Sequence, residues 1–472
     1  MSTMTEGALD QGHLAGPVAG SRTEDQRPAG MLDRLRHRKW ALIAAAAMLV
    51  TGMAYMLAWE HFYYHSKYWG WETGGDLWGI FRGAHYVSWG YLGGVYSSGN
   101  GVVSFPGLEV LLAPVAMLSS ALHLSESFAP NFLPRPTAAL LLQPVELLLA
   151  GTVMFATDAL AEHLGIARGR RIALCFVVAA VAWPVAAIWG HAEDVLAMTF
   201  AIYALIAMVD RKWSRSGWLL GFGIVMQPLV ALLLPLFFAA SPTGQRLRVA
   251  ARAAALSVVL VGIAFIGNPG ETFAALAKQP TPFGPNHPTP WAALSPRLTS
   301  PTLHSGSPVT LVHVGDRLRL SVIPGHFQAP VVVSGGAGRI IDVLIAILVG
   351  VYVWQRPQDS VRMFWLAAVV LATRCFFEPV MTPYYLAPPL ILALVMVARV
   401  DRRRFLAALV IVGEITYFSY RHLGPWRWWL PVVAGLIGVV ALGYPRRPAA
   451  ASDCEPVPAR LVPELRALEP VG

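Results

Sequence analysis

Asp76 is the carboxylate in this sequence best placed to do chemistry. It lies in the stretch Trp69-Gly-Trp71-Glu72-Thr-Gly-Gly-Asp76-Leu-Trp78-Gly-Ile-Phe81-Arg82, an acidic pair set among aromatics just after the first long apolar run. A carboxylate held at a membrane edge can take a proton from a hydroxyl, and Trp faces can stack on sugar rings. The plainer role is that of a loop acid or an N-cap ahead of Leu77-Trp78. Glu72 is its nearest acidic companion. Trp69, Trp71 and Trp78 are the candidate stacking residues, and Arg82 is a candidate cation for an anionic ligand.

Three further clusters carry titratable side chains. Trp189-Gly-His191-Ala-Glu193-Asp194 packs three titratable groups into four residues, and would either orient a ligand's hydroxyls or cap the following helix. In Arg374-Cys-Phe-Phe-Glu378-Pro-Val-Met-Thr-Pro-Tyr384-Tyr385, an arginine closes one apolar run and two tyrosines open the next. Arg374 can pair with Glu378 at i,i+4, or hold a phosphate with its planar fork while the tyrosines flank a lipid chain. The third cluster is basic: His287, Arg297, His304, His313, Arg317, Arg319 and His326 stand against Glu271 and Asp316. That excess suits either an anionic ligand or a solvated loop. The histidines lack zinc-site spacing, so no metal site is expected and any need for a divalent cation stays open.

The elements that position these groups are membrane helices. Of 472 residues, 56% are hydrophobic and only 13% charged, and the mean hydropathy is +0.53. Apolar runs begin at Trp40–Trp59 and recur near 105–122, 138–160, 172–190, 194–209, 217–240, 249–267, 339–356, 362–377, 383–399, 405–420 and 428–444. The fold class is therefore an all-α polytopic membrane protein. The net charge of +9 reflects Lys/Arg clusters in short connections, and implies no nucleic-acid partner. Those clusters (Arg34–Lys39, Arg168–Arg171, Arg211–Arg215, Arg246–Arg248, Arg356 with Arg362, Arg402–Arg404, Arg446–Arg447) assign their end of the bundle to the cytoplasm. Both termini follow there, and the Asp76 loop lies outside. Three cysteines in two apolar runs and a tail give no disulfide framework.

Parity then requires two segments that do not cross. Segment 217–240 has basic flanks on both sides and Gln227-Pro228 at its middle, where proline breaks a helix. Segment 105–122 carries Pro106 and Pro114. The expected architecture is about ten full crossings plus two partial helices. Two long external loops, about 60–104 and 268–338, join them. The first should hold interfacial helices. The second should hold a β-hairpin, with Leu311–Val314 and Arg317–Ile323 around Gly315-Asp316. Domain boundaries are a cytoplasmic disordered tail over 1–38, the transmembrane domain over 39–445, and a second disordered tail over 446–472.

No Walker A motif, dinucleotide fingerprint, His-Glu-x-x-His or nucleophile elbow is present, so nothing in the chain is built to take a soluble nucleotide. Its layout resembles the GT-C superfamily of integral-membrane glycosyltransferases, in particular actinobacterial mannosyltransferases that use polyprenyl-phosphate sugars. The matching pieces are Gly74-Gly-Asp76-Leu-Trp78, Gly190-His-Ala-Glu-Asp194, Gln227-Pro228 and Phe377-Glu-Pro-Val-Met-Thr-Pro-Tyr-Tyr385. The resemblance implies a cell-envelope enzyme of the bacterial plasma membrane that moves a hexose or pentose from a polyprenyl-phosphate donor, with inversion, to a lipid or glycan acceptor. It makes Asp76 the general base. Arg374, Tyr384, Tyr385, Arg82 and His287 would hold the donor phosphate and lipid, and Glu72, His191, Glu193 and Asp194 would orient the acceptor. Many members place two adjacent acids where this chain has Glu72 and Asp76 apart. The competing reading is a transporter or lipid flippase working through the intramembrane acids Glu146 and Glu414.

Overall fold

A computed structural model describes residues 36–58, 71, 73–97, 102, 104–126, 136–277, 280–282, 287–295, 297–298, 309–314, 317–322, 331–333, 336–356, 358–419 and 425–445. The helical bundle belongs to the unit Trp40–Gly472. Glu72, Trp69, His304, His326, residues 1–35 of the expected N-terminal tail and the whole expected C-terminal tail lie outside the described residues.

The helices are α1 (Lys39–Leu57), α2 (Gly75–Ser88), α3 (Gly107–Ala121), α4 (Ala139–His163), α5 (Arg168–Ala187), α6 (Ala192–Val209), α7 (Trp213–Met226), α8 (Leu234–Ala240), α9 (Arg246–Gly267), α10 (Pro269–Ala277), α11 (Gly336–Gln355), α12 (Ser360–Phe377), α13 (Ala387–Val400), α14 (Arg402–Ser419) and α15 (Pro425–Leu442). Among the described residues, nine helices are long and apolar enough to cross a bilayer, so this is a multi-pass membrane protein. The helix α14 is also 18 residues long, but Arg402, Arg403, Arg404 and Glu414 make it too charged to count with the nine.

Both expected partial helices are short. The helix α3 has 15 residues, about 22 Å at 1.5 Å per residue, less than the ~30 Å hydrocarbon core. Segment 217–240 breaks where its proline sits. Helix α7 stops at Met226, Gln227 turns extended (φ −141°, ψ 112°), and a 3₁₀ turn over Pro228–Leu233 leads into α8. Pro228 has no N–H to continue the ladder, so the helix cannot pass through it.

The expected hairpin forms: β4 (Val309–Val314) pairs antiparallel with β5 (Arg317–Val322), Val314 opposite Arg317. Four further strands of two or three residues in this loop are not expected from the sequence, β1 (Pro280–Pro282), β2 (His287–Pro288), β3 (Arg297–Leu298) and β6 (Val331–Val333), and neither is a fifth, β7 (Val380–Met381), after α12. The pairings β1–β6 and β3–β6 gather the loop into a small sheet. The β2 strand pairs with β7, which ties the loop to the connection after α12.

Burial orders the bundle. The segment Pro383–Val400 is 83% buried by protein and Ala192–Val209 is 78%, against 22–28% for α1, α9, α11 and α15. The first two are therefore central, and the outer four turn Leu, Val and Ile faces outward, as surfaces against lipid tails do. The ends of the bundle differ chemically. At one end Arg170 donates to the Ala398 carbonyl at the close of α13, and Arg246 lies 3.9 Å over the Trp354 ring at the close of α11. The other ends of α13 and α11, and the start of α6, meet at a polar cluster around His191.

Candidate active site

Two backbone contacts bring the first loop to the turn between α5 and α6. Gly190 lies at φ +73°, and a Cβ there would sit 2.8 Å from the Leu77 amide; a Cβ on Gly74 would sit 2.5 Å from the Gly190 nitrogen. Only glycine allows so close a back-to-back approach, and Gly190 also needs the left-handed region. The result places Asp76 beside His191. Nε2 of His191 is 3.0 Å from Asp76 Oδ2 and Nδ1 is 2.5 Å from Glu193 Oε1. Asp76 is not buried: its side chain is 65% exposed, while that of Glu193 is 2% exposed.

Burial opposes charge on His191, but the Glu193 carboxylate and the bonds to Asp76 and Glu193 outweigh it and raise the ring well above the ordinary histidine range. Tyr384 stacks on the imidazole with centroids 4.0 Å apart, and meets Trp189 at 5.8 Å and Tyr385 at 4.8 Å. Below Tyr384 a small cleft between α5, α13 and α14, lined by Pro184, Leu390 and Thr416, holds about 30 Å³.

Asp194 is buried on the next position of α6. Its Oδ1 accepts from Gln227 Nε2 at 2.8 Å, so the broken helix is anchored to the cluster at its break. Arg374, only 7% exposed, closes the far side. Its guanidinium carbon lies 3.4 Å from the Tyr385 ring centre, and Asp194 and Glu378 are acids whose charges it faces. Of the two alternatives for Arg374, the i,i+4 ion pair with Glu378 is not seen among the described residues. Glu378 instead takes a 3.3 Å contact from Arg339 Nη2.

A second polar chain approaches from α4. Thr73 Oγ1 donates to Gln143 Oε1, and Gln143 Nε2 donates to Glu146 Oε2 at 2.9 Å. The Glu146 carboxyl also faces the backbone amide of Ala192, the first residue of α6. Glu146 is thus linked through Gln143 to Thr73, in the segment before Asp76, and lies beside the start of α6. From the sequence, Glu146 stood out only as an acid for the transporter alternative, and Gln143 was missed altogether. The signal was available: Gln143 and Glu146 are an i,i+3 polar pair in an otherwise apolar run. The second acid of that alternative, Glu414, is exposed on α14.

Among the described residues, several buried polar atoms here find no partner: Glu193 Oε2, Asp194 Oδ2, Arg374 Nη1 and Trp189 Nε1. Each such atom costs about 1–3 kcal/mol when nothing satisfies it. His191, Glu193 and Asp194 each offer a ligand atom within 4.8 Å of the others, and are the residues here that could hold a metal ion. Both His191 nitrogens already face carboxylates, which is the arrangement of a two-proton donor.

The remaining candidates sit elsewhere. His287 is buried in the bundle, with Nε2 2.9 Å from the Ser419 carbonyl and its ring stacked on Trp428 at 4.3 Å. It pins β2 to α14 and α15 and does not line the cluster. Trp78 is 8% exposed and packs edge-on against Phe81 in the core. Trp71 is half-buried and donates to the Pro136 carbonyl at 3.2 Å. Arg82 is exposed six residues beyond Asp76 on α2. No protein-family model and no curated protein matches the chain.

Proposed function

We propose that this protein is a GT-C-type glycosyltransferase that moves a sugar from a polyprenyl phosphate to a cell-envelope lipid or glycan at the outer face of the plasma membrane. The observation that carries the reading is one run of contacts that links an accessible carboxylate, Asp76, through His191, Tyr384 and Tyr385 to a buried arginine, Arg374. A displacement at a sugar carbon needs a base on one side of that carbon and a cation at the departing oxygen on the other.

In this mechanism Asp76 takes the proton from an acceptor hydroxyl, whose oxygen bonds to the anomeric carbon as the bond from that carbon to the phosphate oxygen breaks. The electron pair leaves with polyprenyl phosphate. His191 occupies Oδ2 of Asp76 and so directs the hydroxyl to Oδ1. Arg374 supplies a donor to the leaving phosphate, and Tyr385 fixes the plane of its guanidinium. Glu193 and Asp194 carry the unpartnered oxygens suited to sugar hydroxyls.

The transporter reading draws on Glu146, which is fully buried in a membrane-length helix. One experiment separates the two. Membranes containing the protein are supplied with radiolabelled polyprenyl-phosphate sugar and extracted acceptor lipids. A new labelled glycolipid is expected. Proton-dependent uptake of solute with no glycolipid formed would overturn the transferase in favour of the transporter.

A further inference from the structure

A larger cavity lies far from this cluster, and its chemistry is different. It is a groove of about 520 Å³ between α14 and α15, lined by Arg404, Ala407, Ile411, Gly438, Ala441, Leu442 and Tyr444. Positions 404, 407 and 411 share one face of α14, and 438, 441 and 442 share one face of α15. Small side chains at three of these six leave the two helices incompletely packed against each other. The groove opens outward, on helices whose other faces carry Leu406, Val410, Leu430 and Ile437 toward the bilayer.

One end of the groove is strongly cationic. Arg402 and Arg403 are exposed and Arg404 is half-buried, with Asp401 as the neighbouring acid, 3.4 Å from the Arg404 guanidinium. The same three residues form the first turn of α14, whose dipole adds positive potential, while the Arg404 N–H is capped by Asp401 Oδ1 at 2.8 Å. Arg404 is held toward the groove by a 3.4 Å contact to the Leu442 carbonyl. Tyr444, braced edge-on by Trp365 at 5.0 Å, stands at the same mouth and is 44% exposed. This mouth is the opposite end of α14 from Ser419, which lines the cleft beneath Tyr384. Eighteen residues of helix, about 27 Å, separate them, so the groove is not part of the candidate active site.

We propose that this groove is a binding site for an anionic phospholipid, with the phosphate at Arg402–Arg404 and one acyl chain lying along Ala407, Ile411, Gly438 and Ala441. A free anion would satisfy the arginines but leave the apolar channel unused. A zwitterionic lipid would fill the channel but give the net positive mouth no counter-charge. Basic pockets between membrane helices select anionic headgroups for this reason. The groove would bind such a lipid whether or not the protein is a transferase.

The test uses the full-length protein in mixed phosphatidylglycerol and phosphatidylcholine nanodiscs, followed by native mass spectrometry of the gently delipidated protein. Preferential retention of phosphatidylglycerol is expected. Arg→Gln changes at 402, 403 and 404 should each lower that preference about fivefold. Gly438→Leu tests the channel separately: a Cβ there meets only Ile411 Cδ1 at an ordinary 3.6 Å, so the larger side chain fills the groove without disturbing the backbone. It should displace the lipid while leaving the arginines in place. Equal retention of both lipids, or a preference unchanged in both the arginine variants and Gly438→Leu, overturns the site.

Discussion

His191 reaches across 115 residues of sequence to place Nε2 3.0 Å from Asp76 Oδ2. The contact exists because Gly74 and Gly190 let two backbone segments touch, and because Glu193 holds the far side of the imidazole. Each part of that arrangement can be tested by itself.

Gly190→Ala should separate the loop from the turn. The alanine would have to hold φ +73° and press its Cβ against Leu77. The left-handed conformation alone costs about 1–2 kcal/mol, and the clash adds to it. Gly165→Ala is the matched control, since Gly165 lies at φ +67° with nothing within 4 Å. Thermal unfolding in detergent should show a larger loss for Gly190→Ala than for Gly165→Ala, and transfer should fall only in the former. Equal losses would mean that the close approach at Gly190 has no energetic weight.

The charge on His191 gives a pH signature. Its folded value is raised, so its contribution to stability is complete below the ordinary value of about 6.5 and is lost as pH climbs through the raised value. The stability gap between wild type and His191→Gln should therefore be widest in mild acid and narrow toward alkali. Melting temperatures of both proteins across about pH 6 to 10 measure it. A gap that stays constant would show that the imidazole is held neutral.

Arg374→Lys keeps the charge and removes the planar fork that lies on Tyr385. One charge-assisted hydrogen bond is worth about 1.5–3 kcal/mol, so the KM for the lipid-phosphate donor should rise about ten- to a hundredfold. The KM for the acceptor should barely change. A donor KM equal to that of wild type would remove Arg374 from the phosphate.

Glu146→Gln should be mild, because its amide oxygen can still accept from Gln143. Glu146→Leu leaves Gln143 Nε2, now bonded at 2.9 Å, without an acceptor, at about 1–3 kcal/mol. A comparison of kcat for the two variants reads this link. If Leu is tolerated as well as Gln, the chain from Thr73 to Ala192 does not position the site.

Much of the fold was legible in the chain. Long apolar runs with few charges have one solution in a bilayer, and a proline at position 228 ends a helix wherever the helix lies. The hairpin followed from two β-prone runs flanking Gly315-Asp316. Of the candidate residues, Asp76, His191, Glu193, Asp194, Arg374, Tyr384 and Tyr385 come together, while His287, Trp71, Trp78 and Arg82 lie elsewhere. The pairings were less legible. That His191 would lie beside Asp76, that Arg374 would lie on Tyr385, and that His287 would turn inward onto Trp428 depend on helix rotation and loop closure, which local spacing does not encode. Glu146 was seen as a lone intramembrane acid because the residues it links, Thr73 through Gln143 and Ala192 directly, are distant from one another in sequence.

The most direct measurement is the rate of labelled glycolipid formation by purified Asp76→Asn alongside wild type, with melting temperatures recorded for both. Asparagine keeps the shape and can still bond His191, but cannot accept a proton. The expected result is an unchanged melting temperature with transfer reduced about 10²–10⁴-fold. Wild-type transfer by the asparagine enzyme would contradict the assignment of Asp76 as the base.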